Sequence, residues 1–118
     1  MRHRMKRGKL GRTTSHKEAM LSNLLVSLIK SGAVETTESK AKNLKPLFER
    51  IISQAIEGTN ATTIQVMHWV DDKDAFKTLQ RSLVPRLKDR KGGYCRIYKT
   101  RFRQGDGAPM ARVEILTE

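Results

Sequence analysis

Acidic residues are scarce in this sequence of 118 residues: 12 Asp and Glu stand against 24 Lys and Arg, and the formal net charge is +12. Aromatic residues make up only 5% of the chain and apolar residues 37%. A modest core uses most of that apolar material, so little remains to line a deep substrate cavity. The length corresponds to a single domain.

The sequence also contains only one cysteine and no long apolar run. The one cysteine, Cys95, cannot form an internal disulfide, which indicates a reducing compartment. No apolar run approaches the roughly 20 residues that a membrane-spanning helix needs. The N-terminal charges are not followed by the apolar region of a secretory signal. We therefore expect a cytoplasmic protein without a membrane partner.

The sequence lacks the residue sets of enzymes and metal sites as well. Its three histidines are scattered, and it contains no CxxC pair and no GxxxxGK[ST] phosphate-binding loop. We interpret Cys95 as a small buried strand residue, Trp69 as a packing residue, and the Asp71–Asp74 cluster as a helix cap rather than a metal site. The sequence therefore predicts no catalytic residue, no metal, no cofactor and no small-molecule substrate.

Positive charge is abundant, and it is segregated along the chain. Residues 1–17 contain seven basic residues and no acidic residue, and residues 81–103 contain nine basic residues against Asp89 alone. Residues 46–80, in contrast, contain three basic and five acidic residues. A protein that needed charge only for solubility would mix its signs, so the two basic segments predict a surface for nucleic acid.

The N-terminal segment 1–14 shows no apolar periodicity and cannot build a core of its own. We predict a basic arm over residues 1–14 and a single globular domain over residues 15–118. The first helix of that domain is expected from Ser15, with Glu18 completing a capping box, to the stop at Gly32. Its apolar residues fall at helical spacing and predict a buried stripe: Met20, Leu21, Leu24, Leu25, Leu28 and Ile29.

Three more helices are predicted in the middle of the chain. The second follows a cap at Thr36 or Thr37 and ends at Gly58, with a kink or an early restart at Pro46. Residues 60–70 are ambiguous: Thr62, Thr63, Ile64 and Val66 favour a strand, but the lack of alternation and Asn60 as a cap favour a short helix, which we predict. The helix that the Asp71–Asp74 cluster opens is expected to bend near Pro85.

The clearest strand pattern lies in residues 91–116. Residues 110–116 alternate between apolar and charged side chains, residues 94–103 are rich in strand formers, and the segment between them is rich in turn residues. Residues 33–36 are predicted to form a short extended link, or one small strand of the sheet. The predicted fold class is α+β: helices packed on a small mixed sheet, with a C-terminal β-hairpin and a basic N-terminal extension.

Several short motifs, in order along the chain, match a known family. They are Met-Arg-His-Arg at 1–4, Gly-Lys-Leu-Gly-Arg at 8–12, Ser-His-Lys at 15–17, Thr-Thr at 36–37 with Lys-Ala-Lys at 40–42, Gly-Gly-Tyr at 92–94 with Arg-Ile at 96–97, Gly-Asp at 105–106 with Ala-Pro-Met-Ala at 108–111, and Glu-Ile-Leu at 114–116. Together these motifs resemble the L-seventeen family of bacterial large-subunit ribosomal proteins.

The resemblance implies a structural and assembly role in the large subunit, on its solvent side near the polypeptide exit, in a cytoplasmic and ribosome-bound protein. The implied partners are 23S ribosomal RNA and neighbouring large-subunit ribosomal proteins. Carried over to this sequence, the RNA-binding candidates are the arm residues Arg2, His3, Arg4, Lys6, Arg7, Lys9 and Arg12 and the strand residues Arg96, Lys99, Arg101 and Arg103. His16 and Lys17 are further candidates, because they open the first helix beside the arm and extend its basic surface.

Two other functions remain open from the residues alone. A DNA-binding or nucleoid-type protein would share the charge pattern, although no helix stands out with base-reading side chains on its first turns. A small RNA-processing enzyme would have to use His16 or the Asp71–Asp74 cluster. We expect the ribosomal function over both.

Overall fold

A computed structural model describes residues 14–116. In chain order the elements are α1 (Thr14–Ser31), β1 (Ala33–Thr37), α2 (Glu38–Glu57), α3 (Asn60–Trp69), α4 (Lys73–Thr78), a π-helical turn (Leu79–Leu83), α5 (Val84–Leu87), β2 (Cys95–Phe102) and β3 (Pro109–Ile115).

The three strands form one sheet in the order β1-β3-β2. β2 and β3 are the predicted C-terminal hairpin, and the α+β class with helices on a small sheet is confirmed. The expected mixed pairing is wrong, because both pairs in the described residues are antiparallel. β1 and β2 do run in the same direction, but the hairpin places β3 between them, so they never pair.

Helix α1 supplies one side of the core with the predicted apolar stripe. Leu25 and Leu28 are fully buried, and the helix stops at Gly32, whose N–H donates to the Leu28 carbonyl at 2.8 Å. Gly32 adopts φ +87°, a conformation that favours glycine. The helix begins at Thr14, so the expected cap at Ser15 is wrong: Ser15 already lies within the helix.

Helix α2 packs against all three strands of the sheet and contributes a second set of buried side chains to the core. Thr37 caps it by accepting a hydrogen bond from the Lys40 N–H at 3.4 Å, and Gly58 ends it at φ +70°. Of the two expected effects of Pro46, a kink or an early restart, the restart is wrong, because α2 continues through that residue. Pro46 is exposed and lines an open groove on the outer side of the helix.

The ambiguous middle segment is helical, as predicted. The cap of α3 is Thr59 rather than Asn60, since the Thr59 hydroxyl accepts from the Thr62 N–H at 3.2 Å. Trp69 is half-buried against the core, which confirms its packing role, and its carbonyl accepts from the Ser22 hydroxyl at 2.7 Å.

The predicted helix after residue 70 is capped by an aspartate, as expected, but is not uniform. Asp72 Oδ1 accepts from the Ala75 N–H at 2.9 Å, and this bond is the main reason that the pKa of Asp72 is lowered. Before Pro85 the helix widens into the π turn, in which the Val84 N–H bonds to the Leu79 carbonyl five residues back. Such a turn absorbs the backbone bond that a proline cannot make.

A single carboxylate connects α2 to the start of β2. Glu49 Oε2 accepts from the Tyr94 N–H at 2.9 Å and from the Cys95 N–H at 3.2 Å. The preceding residues, Gly92 and Gly93, can adopt many backbone conformations. The two hydrogen bonds to Glu49 therefore fix the position at which the basic strand begins relative to the helices.

Candidate nucleic-acid interface

β2 is an edge strand with one open face. Its partner is β3, and the helices cover the face that carries Ile97. Arg96 and Tyr98 lie on the opposite face, directly across from Glu114 and Arg112 of β3. The Arg96 guanidinium lies 5.8 Å from the centre of the Tyr98 ring, a cation–π contact.

One extra residue in β2 turns two neighbouring side chains to this open face. The pairing register shifts between Lys99 and Phe102. Thr100 Oγ1 donates to Glu35 Oε2 at 2.6 Å, and Arg101 Nη2 donates to Glu35 Oε1 at 3.3 Å. These two bonds, that of Thr100 first, lower the pKa of Glu35. Because Glu35 belongs to β1, its carboxylate links the two edges of the sheet across β3.

Each of the four basic residues predicted on this strand has an acidic partner. The pairs are Arg96 with Glu114 at 3.2 Å, Lys99 with Glu38 at 3.7 Å, Arg101 with Glu35 at 3.3 Å, and Arg103 with Asp106 at 2.7 Å. The hydrogen bonds from Arg103 and then from the Ala108 N–H lower the pKa of Asp106 to about 2. The structure therefore brings the four predicted residues to one edge, with much of their charge balanced.

Balanced charge does not prevent these residues from binding an anion. All four cationic side chains are exposed to solvent. An exposed ion pair contributes little to stability, because water screens it and two long side chains lose freedom in forming it. A phosphate group offers an arginine the same two-bond geometry as the carboxylates of Glu35 and Asp106, so it can take the place of either partner.

A second basic surface, which we call the cationic helical segment, comprises residues 81–91. Its exposed cations have no acidic partner among residues 14–116; they are Arg81, Arg86, Lys88 and Lys91. Arg90 donates from Nη1 to the Gly93 carbonyl at 3.2 Å. The sequence showed this excess of charge, yet these residues were not predicted as contacts, because only the structure shows which cations already have partners.

The other predicted contact residues are placed only in part. Lys17 lies with Arg50 and Trp69 around an open groove between α1, α2 and α3, and His16 lies in the same first turns of α1. The predicted arm residues Arg2, His3, Arg4, Lys6, Arg7, Lys9 and Arg12 lie outside the described residues.

Comparison with known proteins places the chain in a family. The family model described as Ribosomal protein L17 matches residues 20–116. The chain belongs to the ribosomal protein L17 family. Its relatives include proteins named large ribosomal subunit protein bL17 from Campylobacter concisus (strain 13826), 43% identical over 100% of both chains, and from Campylobacter jejuni subsp. jejuni serotype O:2, 46% identical over 98% of this chain and 99% of the relative. Another, from Moorella thermoacetica, is 44% identical over 92% of this chain and 96% of the relative.

Membership in the ribosomal protein L17 family confirms the predicted resemblance and the prediction that this protein is not an enzyme. Within residues 14–116, no group of three or more His, Cys, Asp and Glu side chains is placed to hold a metal ion. None of the described helices is long and apolar enough to span a bilayer.

Proposed function

We propose that this chain is a structural constituent of the large ribosomal subunit that binds 23S ribosomal RNA through its basic surfaces and supports subunit assembly and translation. The observation that carries the proposal is the unpartnered charge of the cationic helical segment in a member of the L17 family. The predicted arm and the basic edge of β2 provide further cations. The proposed location is the cytoplasm, on the ribosome, with neighbouring large-subunit proteins as further partners.

The basic surfaces are suited to the RNA backbone rather than to its sequence. The major groove of A-form RNA is too deep and narrow for side chains to read, so contacts go mainly to phosphates and 2′-hydroxyls. An arginine fork can bind one phosphate through two parallel hydrogen bonds. The predicted arm contains four arginines among its basic residues, Arg2, Arg4, Arg7 and Arg12, which favours this mode.

The location of a charge, rather than its amount, should determine its effect on RNA affinity. The double variant Arg86→Gln/Lys88→Gln removes two unpartnered cations, so we expect about tenfold weaker binding to large-subunit RNA and a salt slope lower by about 1.5. The matched control is Lys73→Gln/Lys77→Gln, which removes the same charge beside the aspartates that open α4. Filter binding at several salt concentrations measures both variants.

We expect the control variant to bind RNA as the unmodified chain does. Equal losses for the two variants would show that only net charge matters, and the proposed surface would then be wrong. Duplex DNA of matched length, added as a competitor, tests the DNA-binding alternative: it should displace structured RNA poorly.

A further inference from the structure

The most exposed large apolar side chain in the described part of the protein lies on its most basic strand. Phe102, the last residue of β2, is 74% exposed. It pairs with Pro109 just beyond the register shift, next to the turn that joins β2 and β3. From Tyr98 onward every residue of β2 is exposed, so the ring contributes nothing to the core.

Phe102 presents an aromatic face that is not already used. The other exposed aromatic residue of this strand, Tyr98, is 41% exposed and lies beneath the Arg96 guanidinium. The ring of Phe102 has no such partner among the described residues. In the sequence it stands between Arg101 and Arg103, whose side chains are also exposed.

The surrounding charges indicate what covers this ring. An apolar protein surface docked on Phe102 would also have to remove water from Arg101 and Arg103, which disfavours it. A single strand of RNA can satisfy both kinds of side chain. An unpaired base can stack on the Phe102 ring, and the phosphates next to that base can form ion pairs with the guanidinium groups of Arg101 and Arg103. Proteins that bind single-stranded nucleic acid combine aromatic faces and basic side chains in this way.

We propose that Phe102 stacks on an unpaired base of ribosomal RNA at the end of the hairpin. Arg101 and Arg103 then exchange their carboxylate partners, Glu35 and Asp106, for the phosphates on either side of that base. This inference rests on the proposed RNA-binding function and adds to it a site that recognises a non-duplex segment.

The test compares Phe102→Ala with the unmodified chain on two probes, a 12-nucleotide single-stranded oligoadenylate and an RNA duplex of the same length. We expect fivefold to thirtyfold weaker binding to the single strand, in the range that loss of one stacked base roughly gives, and no change on the duplex. The slope of affinity against salt should stay the same, because no phosphate contact is removed. The matched control is Ile64→Ala, which truncates another exposed side chain (68%) on α3 and should have no effect.

A second variant reports stacking directly. Phe102→Trp in a Trp69→Phe background leaves one tryptophan, whose fluorescence should be quenched when the oligoadenylate binds. Unchanged single-strand affinity in Phe102→Ala, or no quenching in the tryptophan variant, would overturn the stacking site. The proposed function would still stand if Arg86→Gln/Lys88→Gln weakened RNA binding in the same assays, so the two failures are distinguishable.

Discussion

A chain without residues 1–13 is expected to bind large-subunit RNA at least about a hundredfold more weakly than the full chain, with the same thermal unfolding midpoint. The deletion removes six cations and no acid; they are Arg2, Arg4, Lys6, Arg7, Lys9 and Arg12. If all six neutralise phosphates, the salt slope should fall by about 4 to 5. Stability should not change, because the described core begins at Leu21 and α1 begins at Thr14.

A full-length variant with those six residues changed to glutamine separates charge from chain length. It should lose nearly as much affinity as the deletion, because the arm is proposed to act through its cations. RNA titration and thermal unfolding measured by circular dichroism cover both quantities. Unchanged affinity in both variants would remove the arm from the proposed interface, and a lower midpoint in the deletion would show that the arm supports the fold.

Cys95 should resist alkylation in the folded protein by about three orders of magnitude relative to the unfolded chain at pH 8. Burial first, and then the nearby Glu49 carboxylate, raises the pKa of the Cys95 thiol to about 12. The thiolate is the reactive form, and an ordinary cysteine has a pKa of about 8.5. Folding therefore leaves only a trace of thiolate at pH 8.

The dependence of the reaction on pH distinguishes this explanation from simple steric blocking. In the folded protein the rate of iodoacetamide labelling should rise about tenfold per pH unit from pH 7 to 10 without a plateau, because the pKa lies above that range. In urea the rate should level off above about pH 9. Rapid labelling of the folded protein at pH 8 would contradict the buried position of Cys95 at the start of β2.

Local sequence patterns predicted most of the fold. The stripe of α1, the stop at Gly32 and the alternation in β3 each depend on residues only a few positions apart, and each is confirmed. The effects of the two prolines that lie in helices were harder to predict. Pro46 is accommodated on the exposed side of α2, and the strain of Pro85 is relieved by a π turn, because tertiary packing holds both helices together.

The candidate site was predicted only in outline for a related reason. The sequence located the excess of cations, but three of the four basic residues of the β2 edge find their acidic partners in distant parts of the chain. Glu35 lies 65 residues from Thr100 and 66 from Arg101, and Glu114 lies 18 from Arg96. Only the sheet order places these acids against the basic strand, whereas the exposed cations Arg81, Arg86, Lys88 and Lys91 have no acidic partner among the described residues.

Sedimentation of the tagged chain from bacterial lysates through density gradients tests the proposed function most directly. We expect the protein to travel with the large ribosomal subunit at about 0.1 M salt and to leave it only near 1 M, since screening must overcome many phosphate contacts. The Arg86→Gln/Lys88→Gln variant should leave at a lower salt concentration than the Lys73→Gln/Lys77→Gln control. A protein that stays at the top of the gradient at low salt, with no large-subunit association, would contradict the proposal.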